Sequence, residues 1–166
     1  MALCILGWSN DAEAQYKNGQ IGFEGGYMFL GSNSGLDNHG VLLGLRGAYK
    51  GSEHWWVTAR AGVSLRGETF SDRTVVLFHL VPAAVRYYFF TDRFRPFLGV
   101  SNSFQFLANN TTDSTVYWGP GATAGAEFRL RRDLFIGFQL DAFYMFVFQG
   151  PDVPLITSTI QLNFFL

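Results

Sequence analysis

From residue 20 onward, polar and apolar side chains alternate with a period of two, and no stretch carries a helical period. Eight segments follow this rule. The first, about Gln20 to Leu30, sets Ile21, Phe23, Tyr27 and Phe29 against Gly22, Glu24 and Gly26. The second, Gly40 to Lys50, sets Val41, Leu43, Leu45 and Tyr49 against Gly44, Arg46, Ala48 and Lys50. In Trp55 to Arg66, Trp55, Val57, Ala59, Ala61, Val63 and Leu65 oppose Thr58, Arg60, Gly62, Ser64 and Arg66. Thr74 to Phe90 has an apolar set of Val75, Leu77, Val81, Ala83, Val85, Tyr87 and Phe89, with Arg86 opposite. Phe94 to Phe106 places Gly99, Ser101, Ser103 and Gln105 away from Leu98, Val100, Phe104 and Phe106. Trp118 to Leu130 is all glycine, Thr123, Glu127 and Arg129 on one side, and contains nothing polar on the other. Leu134 to Phe146 and Leu155 to Leu166 complete the set, with Gln139 and Asp141, then Thr157, Thr159, Gln161 and Asn163, on their polar faces. His79 and Asn102 fall on apolar faces, and Val76, Phe78 and Leu80 on a polar one. A bulge at Pro82 or near Pro96 is expected to shift the register there.

The connections alternate in length. "GSEH", "TDR" and "RRD" are tight, whereas "GSNSGLDNHG", "GETFSDR", "LANNTTDST" and "VFQGPDVP" are longer and polar. Tight turns at one rim and longer loops at the other predict an all-β, eight-stranded, antiparallel up-and-down barrel.

Alternation permits two such barrels. A soluble, lipocalin-like carrier turns its apolar face inward around a ligand, and a transmembrane barrel turns it outward. Three features favour the transmembrane barrel. The polar face is rich in glycine, which relieves crowding in a narrow lumen and gains nothing on a solvated wall. Its charges, Glu24, Glu127 and Asp141 with Arg46, Arg60, Arg86 and Arg129, have mixed sign and suit an enclosed network of ion pairs. Aromatic residues gather beside the tight turns, and Tyr49, Trp55, Trp56, Tyr87, Phe89 and Phe94, with Tyr88, Phe90 and Phe97, are expected to form an interfacial girdle.

Composition supports this picture. Only 15% of the 166 residues are charged, 17% are aromatic, and the net charge of -1 gives no footing for nucleic acid. Ten of the 12 basic residues are arginine, the residue suited to enclosed bidentate pairing; Lys17 and Lys50 are the exceptions. The interior charges have two readings, a structural plug or a gated polar pathway, and the narrowness of eight strands favours the plug.

The runs "VPAAVRYYFFTDRFRPFLGVSNSFQF" and "WGPGATAGAEFRLRRDLFIGFQLDAFYMF" resemble the small outer-membrane barrel domains of the OmpA, OmpX and OmpW type. The shared features are an aromatic pair, a tight turn, Arg-Pro-aromatic and a glycine-containing strand. The resemblance covers about residues 20 to 166 and implies a Gram-negative outer membrane, with membrane lipids and the barrel-assembly machinery as partners. It also implies that Leu162, Phe164 and Leu166 form the C-terminal assembly signal, with Leu166 where Phe is usual. No peptidoglycan-binding domain is expected beside the barrel.

Residues 1–14 read as a signal-peptide remnant or disordered leader before a barrel domain at 15–166. Ala2 to Trp8 is apolar, Ala12-Glu13-Ala14 fits a cleavage pattern, and the basic n-region is missing, as if the start codon were placed too far downstream. No cofactor and no metal site are expected, because Cys4 is the single cysteine and no ligand spacing recurs. His39 stands near Asp37, Ser32 and Ser34, a composition ordinary for a loop. His54 reads as a turn residue. The chain is therefore expected to be non-enzymatic: an envelope anchor, scaffold or surface-interaction protein whose outer loops contact partners. A narrow, OmpW-like conduit for small or hydrophobic compounds is the alternative, and a soluble carrier a more distant one.

Overall fold

The computed structural model describes residues 18–31, 39–67, 74–108, 115–147 and 152–166. They form strands β1 (Gly19–Leu30), β2 (His39–Lys50), β3 (Trp55–Gly67), β4 (Thr74–Tyr88), β5 (Phe94–Ala108), β6 (Thr115–Arg129), β7 (Leu134–Val147) and β8 (Val153–Phe165). Each strand pairs antiparallel with its sequence neighbours, and β1 pairs with β8 to close the barrel. The leader expected at 1–14 lies outside the described residues.

The register fixes the tilt. A path of paired residues from Gln20 runs through Ala48, Thr58, Ala84, Ser101, Gly121, Phe143 and Leu155, and re-enters β1 at Leu30, ten residues further along. Such a stagger inclines eight strands at roughly 40° to the barrel axis.

The outer wall is apolar. Phe23, Leu43, Leu45, Val100, Phe138 and Ile160 are each at least half exposed, while Glu24, Arg46, Arg60, Arg86, Glu127 and Asp141 are buried inside. That is the inverse of a soluble carrier. Trp118 and Phe128 are ten residues apart on the outer face of β6. At ~3.3 Å per residue and ~40° of tilt they mark a belt about 25 Å tall, the apolar height of a transmembrane barrel.

β4 departs from simple alternation. Leu77 and Val81, assigned above to the outer face, point inward with His79, whereas Phe78 and Leu80 point outward. Beyond Pro82 the parity reverses, so that Ala84, Arg86 and Tyr88 are buried and Val85 and Phe89 exposed. The cause is a register shift between Leu80 and Ala83 against β5, matched by one between Thr58 and Arg60 against β4. Proline lacks the N–H that a regular ladder needs, so the extra residue is accommodated there. Pro96 sits in unbroken pairing with Ala126. His79 thereby escapes the apolar outer wall and bonds Gln105 inside. Asn102 stays on the outer wall, half-buried between Ala83 and Pro120.

Deleting Pro82 removes the extra residue and is expected to turn His79 outward with Leu80 inward. Refolding into detergent micelles should then yield no heat-modifiable band on gels, whereas Pro82→Ala should retain one.

Candidate functional site

Among the described residues, the lumen is where the fold gathers buried charge, and it is built in three levels. The lowest, at the tight-turn end, is aromatic. Trp56 and Phe135 are the second residues of β3 and β7, and Tyr88 and Phe165 end β4 and β8. Their rings surround Arg95, whose guanidinium carbon lies 4.9 Å from Trp56, 4.4 Å from Tyr88, 5.0 Å from Phe135 and 5.7 Å from Phe165. A cation among ring faces is attracted by their quadrupoles, most strongly where water is excluded.

Above this floor, Glu127 receives Arg95 at 3.6 Å and Arg46 at 3.1 Å, together with the Tyr88 hydroxyl at 3.0 Å and the Asn163 amide at 3.3 Å. On the neighbouring strand β7, four residues beyond the Gly137 that pairs with Glu127, Asp141 receives Arg60 at 2.9 Å, Thr157 at 2.9 Å and Gln139 at 2.7 Å. Arg60 also lies 3.8 Å from Glu24. Glutamines join the two centres. Gln161 accepts from Arg46 and donates to Gln139, whose carbonyl also accepts from Arg86. Arg86 has no carboxylate within ion-pairing distance among the described residues. It is held by Gln139 and by the Phe97 ring, 4.5 Å from its guanidinium carbon.

Space for this network comes from glycines placed across the ladder from charges. Glu24 pairs with Gly44, Arg86 with Gly99 and Glu127 with Gly137. A methyl at Gly44 would lie 3.1 Å from the Glu24 carboxylate, one at Gly99 3.1 Å from the Arg86 side chain, and one at Gly137 3.2 Å from that of Glu127. Each glycine clears the space that the neighbouring charged side chain enters.

The third level, toward the long loops, is apolar: Met28, Leu30, Leu42, Leu77, Val81, Phe143, Met145, Val153 and Leu155 fill the interior. His79, Gln105 and Ser103 form a hydrogen-bonded chain beside it, with Gln105 between the histidine and the serine.

Of the lumen residues expected from the sequence, six (Glu24, Arg46, Arg60, Arg86, Glu127 and Asp141) are buried in this network. Arg129 is not part of it. It is half-buried at the mouth, its guanidinium carbon 5.2 Å from the Phe135 ring, and it makes none of the four ion pairs among the described residues. Arg95, missed above, takes its place, and its signal was parity: it precedes Gly99 and Ser101 on the same face of β5.

The girdle needs a similar correction. Tyr49, Trp55, Phe89, Phe90 and Phe94 are exposed on the outer wall, with Tyr87 half-buried beside them. Trp56, Tyr88 and Phe97 are buried in the lumen instead. In Trp55-Trp56 and Tyr87-Tyr88, adjacent residues of one strand must face opposite ways. A second aromatic set, Tyr27, Phe106, Trp118 and Tyr144, lies on the outer wall toward the long loops. Leu162, Phe164 and Leu166 share the outer face at the end of the chain.

His39 begins β2, where its ring bonds the Tyr27 hydroxyl and packs on Phe29; Ser32, Ser34 and Asp37 lie outside the described residues. His54 in the β2–β3 turn bonds the Tyr88 carbonyl at 2.7 Å.

No protein-family model and no curated protein sequence matches the chain. Solved structures do. Neisserial surface protein A superposes with a TM-score of 0.73 at 12% identity, covering 89% of this chain and 97% of that one. The outer membrane protein OprG from Pseudomonas aeruginosa gives 0.60 at 11%, covering 90% and 97%. Ail, the attachment invasion locus protein of Yersinia pestis, gives 0.55 at 15%, covering 90% and 99%. At these identities the likeness is one of fold: the chain has the fold of the small eight-stranded outer-membrane barrels.

Glu127→Ala leaves Arg46 and Arg95 buried without their shared carboxylate and is expected to cost about 3–5 kcal/mol, the usual cost of breaking a buried pair. Arg129→Ala is expected to cost less than about 1 kcal/mol, as for a partly solvated charge. Urea unfolding of the barrel in lipid vesicles measures both.

Proposed function

We propose that the chain is an integral outer-membrane barrel that works as a non-enzymatic anchor, scaffold or surface-interaction protein, its long loops meeting partners at the envelope. The observation that carries this reading is the filled lumen. An aromatic floor, a cross-linked charge layer and an apolar layer succeed one another along the barrel, and apart from the partly buried Phe165 each consists of side chains with almost no exposure. A wall so apolar belongs in lipid, and a lumen so filled leaves the loops as the remaining surface for specificity. Membrane lipids and the barrel-assembly machinery are the partners this reading requires, with Leu162, Phe164 and Leu166 as the assembly signal; nucleic acid is not among them. The fold neighbours include a surface protein and an attachment protein, and a role at the surface accords with both.

A second reading, a narrow conduit for small or hydrophobic compounds, is favoured by one feature. The layer nearest the long loops is apolar and contains Met28 and Met145, whose flexible thioether chains repack readily around a guest.

Reconstitution into planar bilayers separates the two. The anchor reading predicts no steady single-channel current, for the native protein and for Arg129→Ala alike. Steady currents that change in Arg86→Ala or Glu127→Ala would sink the plugged lumen and favour the conduit.

A further inference from the structure

At the tight-turn rim, two connections lie side by side. Phe94 at the start of β5 pairs with Phe128 near the end of β6, and the Arg129 N–H donates to the Arg93 carbonyl at 2.8 Å. The β4–β5 connection carries Asp92 and Arg93, and the β6–β7 connection carries Arg131, Arg132 and Asp133, all exposed. None of these five makes an ion pair among the described residues. Arg93 is nonetheless positioned: its guanidinium carbon lies 4.9 Å from the ring of Phe128, which faces out from the barrel wall. The cation therefore rests on the lipid side of the wall, at the level of the exposed rings of Phe89, Phe90 and Phe94.

From this arrangement we infer that Arg93, Arg131 and Arg132 form a phosphate-binding rim that holds the headgroup of an anionic phospholipid in the leaflet at the tight-turn end. The inference rests on the membrane reading above and adds a ligand to it. Three observations support it together. The unpaired cations are arginines, whose planar fork of donors matches a phosphate better than lysine does. They sit where the aromatic girdle ends, which is the depth of the headgroups. One of them lies over an outward-facing ring, so its guanidinium stands on the outer side of the barrel rather than in the lumen. A soluble anion would have no use for a cation held against the hydrocarbon-facing surface. Asp92 and Asp133 temper the local charge without engaging the guanidiniums.

The test uses the full barrel in nanodiscs of phosphatidylcholine mixed with phosphatidylglycerol, released gently for native mass spectrometry. The native protein should retain phosphatidylglycerol over phosphatidylcholine by about fivefold or more, as several charge-assisted phosphate contacts allow. In the triple variant Arg93→Gln/Arg131→Gln/Arg132→Gln the ratio should fall to about one, the value without such contacts. Arg93→Lys alone should recover less than the native preference. Inorganic phosphate at ten times the lipid concentration should leave the retained lipid in place. Equal retention of both lipids by the native protein overturns the inference, as does an unchanged preference in the triple variant. Complete displacement by inorganic phosphate overturns the lipid assignment in favour of a free-anion site. A native protein that fails to enter phosphatidylcholine nanodiscs as a heat-modifiable barrel contradicts the membrane reading itself. All three substitutions are on exposed turn residues, so heat-modifiable migration of the variant confirms that its loss of preference is not a loss of fold.

Discussion

Closure of the hydrogen-bonded ladder between β1 and β8 is the constraint from which the remaining features follow. A closed barrel has no edge to leave unpaired, which is what allows strands to stand in hydrocarbon. It also leaves each strand residue with two destinations, wall or lumen, assigned by parity. The consequences appear residue by residue. Trp55 faces out and Trp56 in, Tyr87 is half-buried on the outer side and Tyr88 fully buried, and a single extra residue at Pro82 exchanges the faces along the rest of β4. Without that exchange either His79 or Arg86 would lie on the apolar wall.

Enclosure then dictates the chemistry inside. Four arginines, Arg46, Arg60, Arg86 and Arg95, and three carboxylates, Glu24, Glu127 and Asp141, share a lumen from which solvent is largely displaced. Two of the carboxylates collect arginines and neutral donors, and glutamines bridge the two centres. The excess positive charge is spread over ring faces: Arg95 among four rings, Arg86 against Phe97 and Gln139. Glycines opposite Glu24, Arg86 and Glu127 make the crowding tolerable. The same feature therefore explains why glycine and charge are concentrated on one face of the sequence pattern and why the lumen is filled.

Much of this was legible in the sequence because period two survives in seven of the strands, and there inward and outward sets can be read directly. Six of the lumen charges were found this way. The misses have a common origin. Arg95 shares a face with Gly99 and Ser101, but lies beside the aromatic residues of a turn, so it reads as part of the rim. Trp56, Tyr88 and Phe97 read as girdle because clustering near a turn says nothing about which side of the wall a ring occupies. Arg129 has the correct parity but stands one step too close to the mouth to be enclosed. Along β4, Pro82 signalled a shift without fixing which half of the strand would be inverted. The apolar layer near the long loops was missed although Met28, Leu30 and Leu42 have the parity of the polar face, because apolar side chains at those positions do not mark themselves as lumen residues by chemistry.

The assignment of wall and lumen is tested most directly by tryptophan fluorescence in lipid. Single-tryptophan proteins keeping Trp55, Trp56 or Trp118, with the others replaced by phenylalanine, would be folded into bilayers brominated at chosen depths along the acyl chain. Trp55 and Trp118 should be quenched strongly by bromines close to the headgroups and weakly by those at the bilayer centre, and Trp56 should be quenched at neither depth. Quenching of Trp56 equal to that of Trp55, or indifference of Trp55 and Trp118 to brominated lipid, would contradict the assignment of faces on which the rest depends.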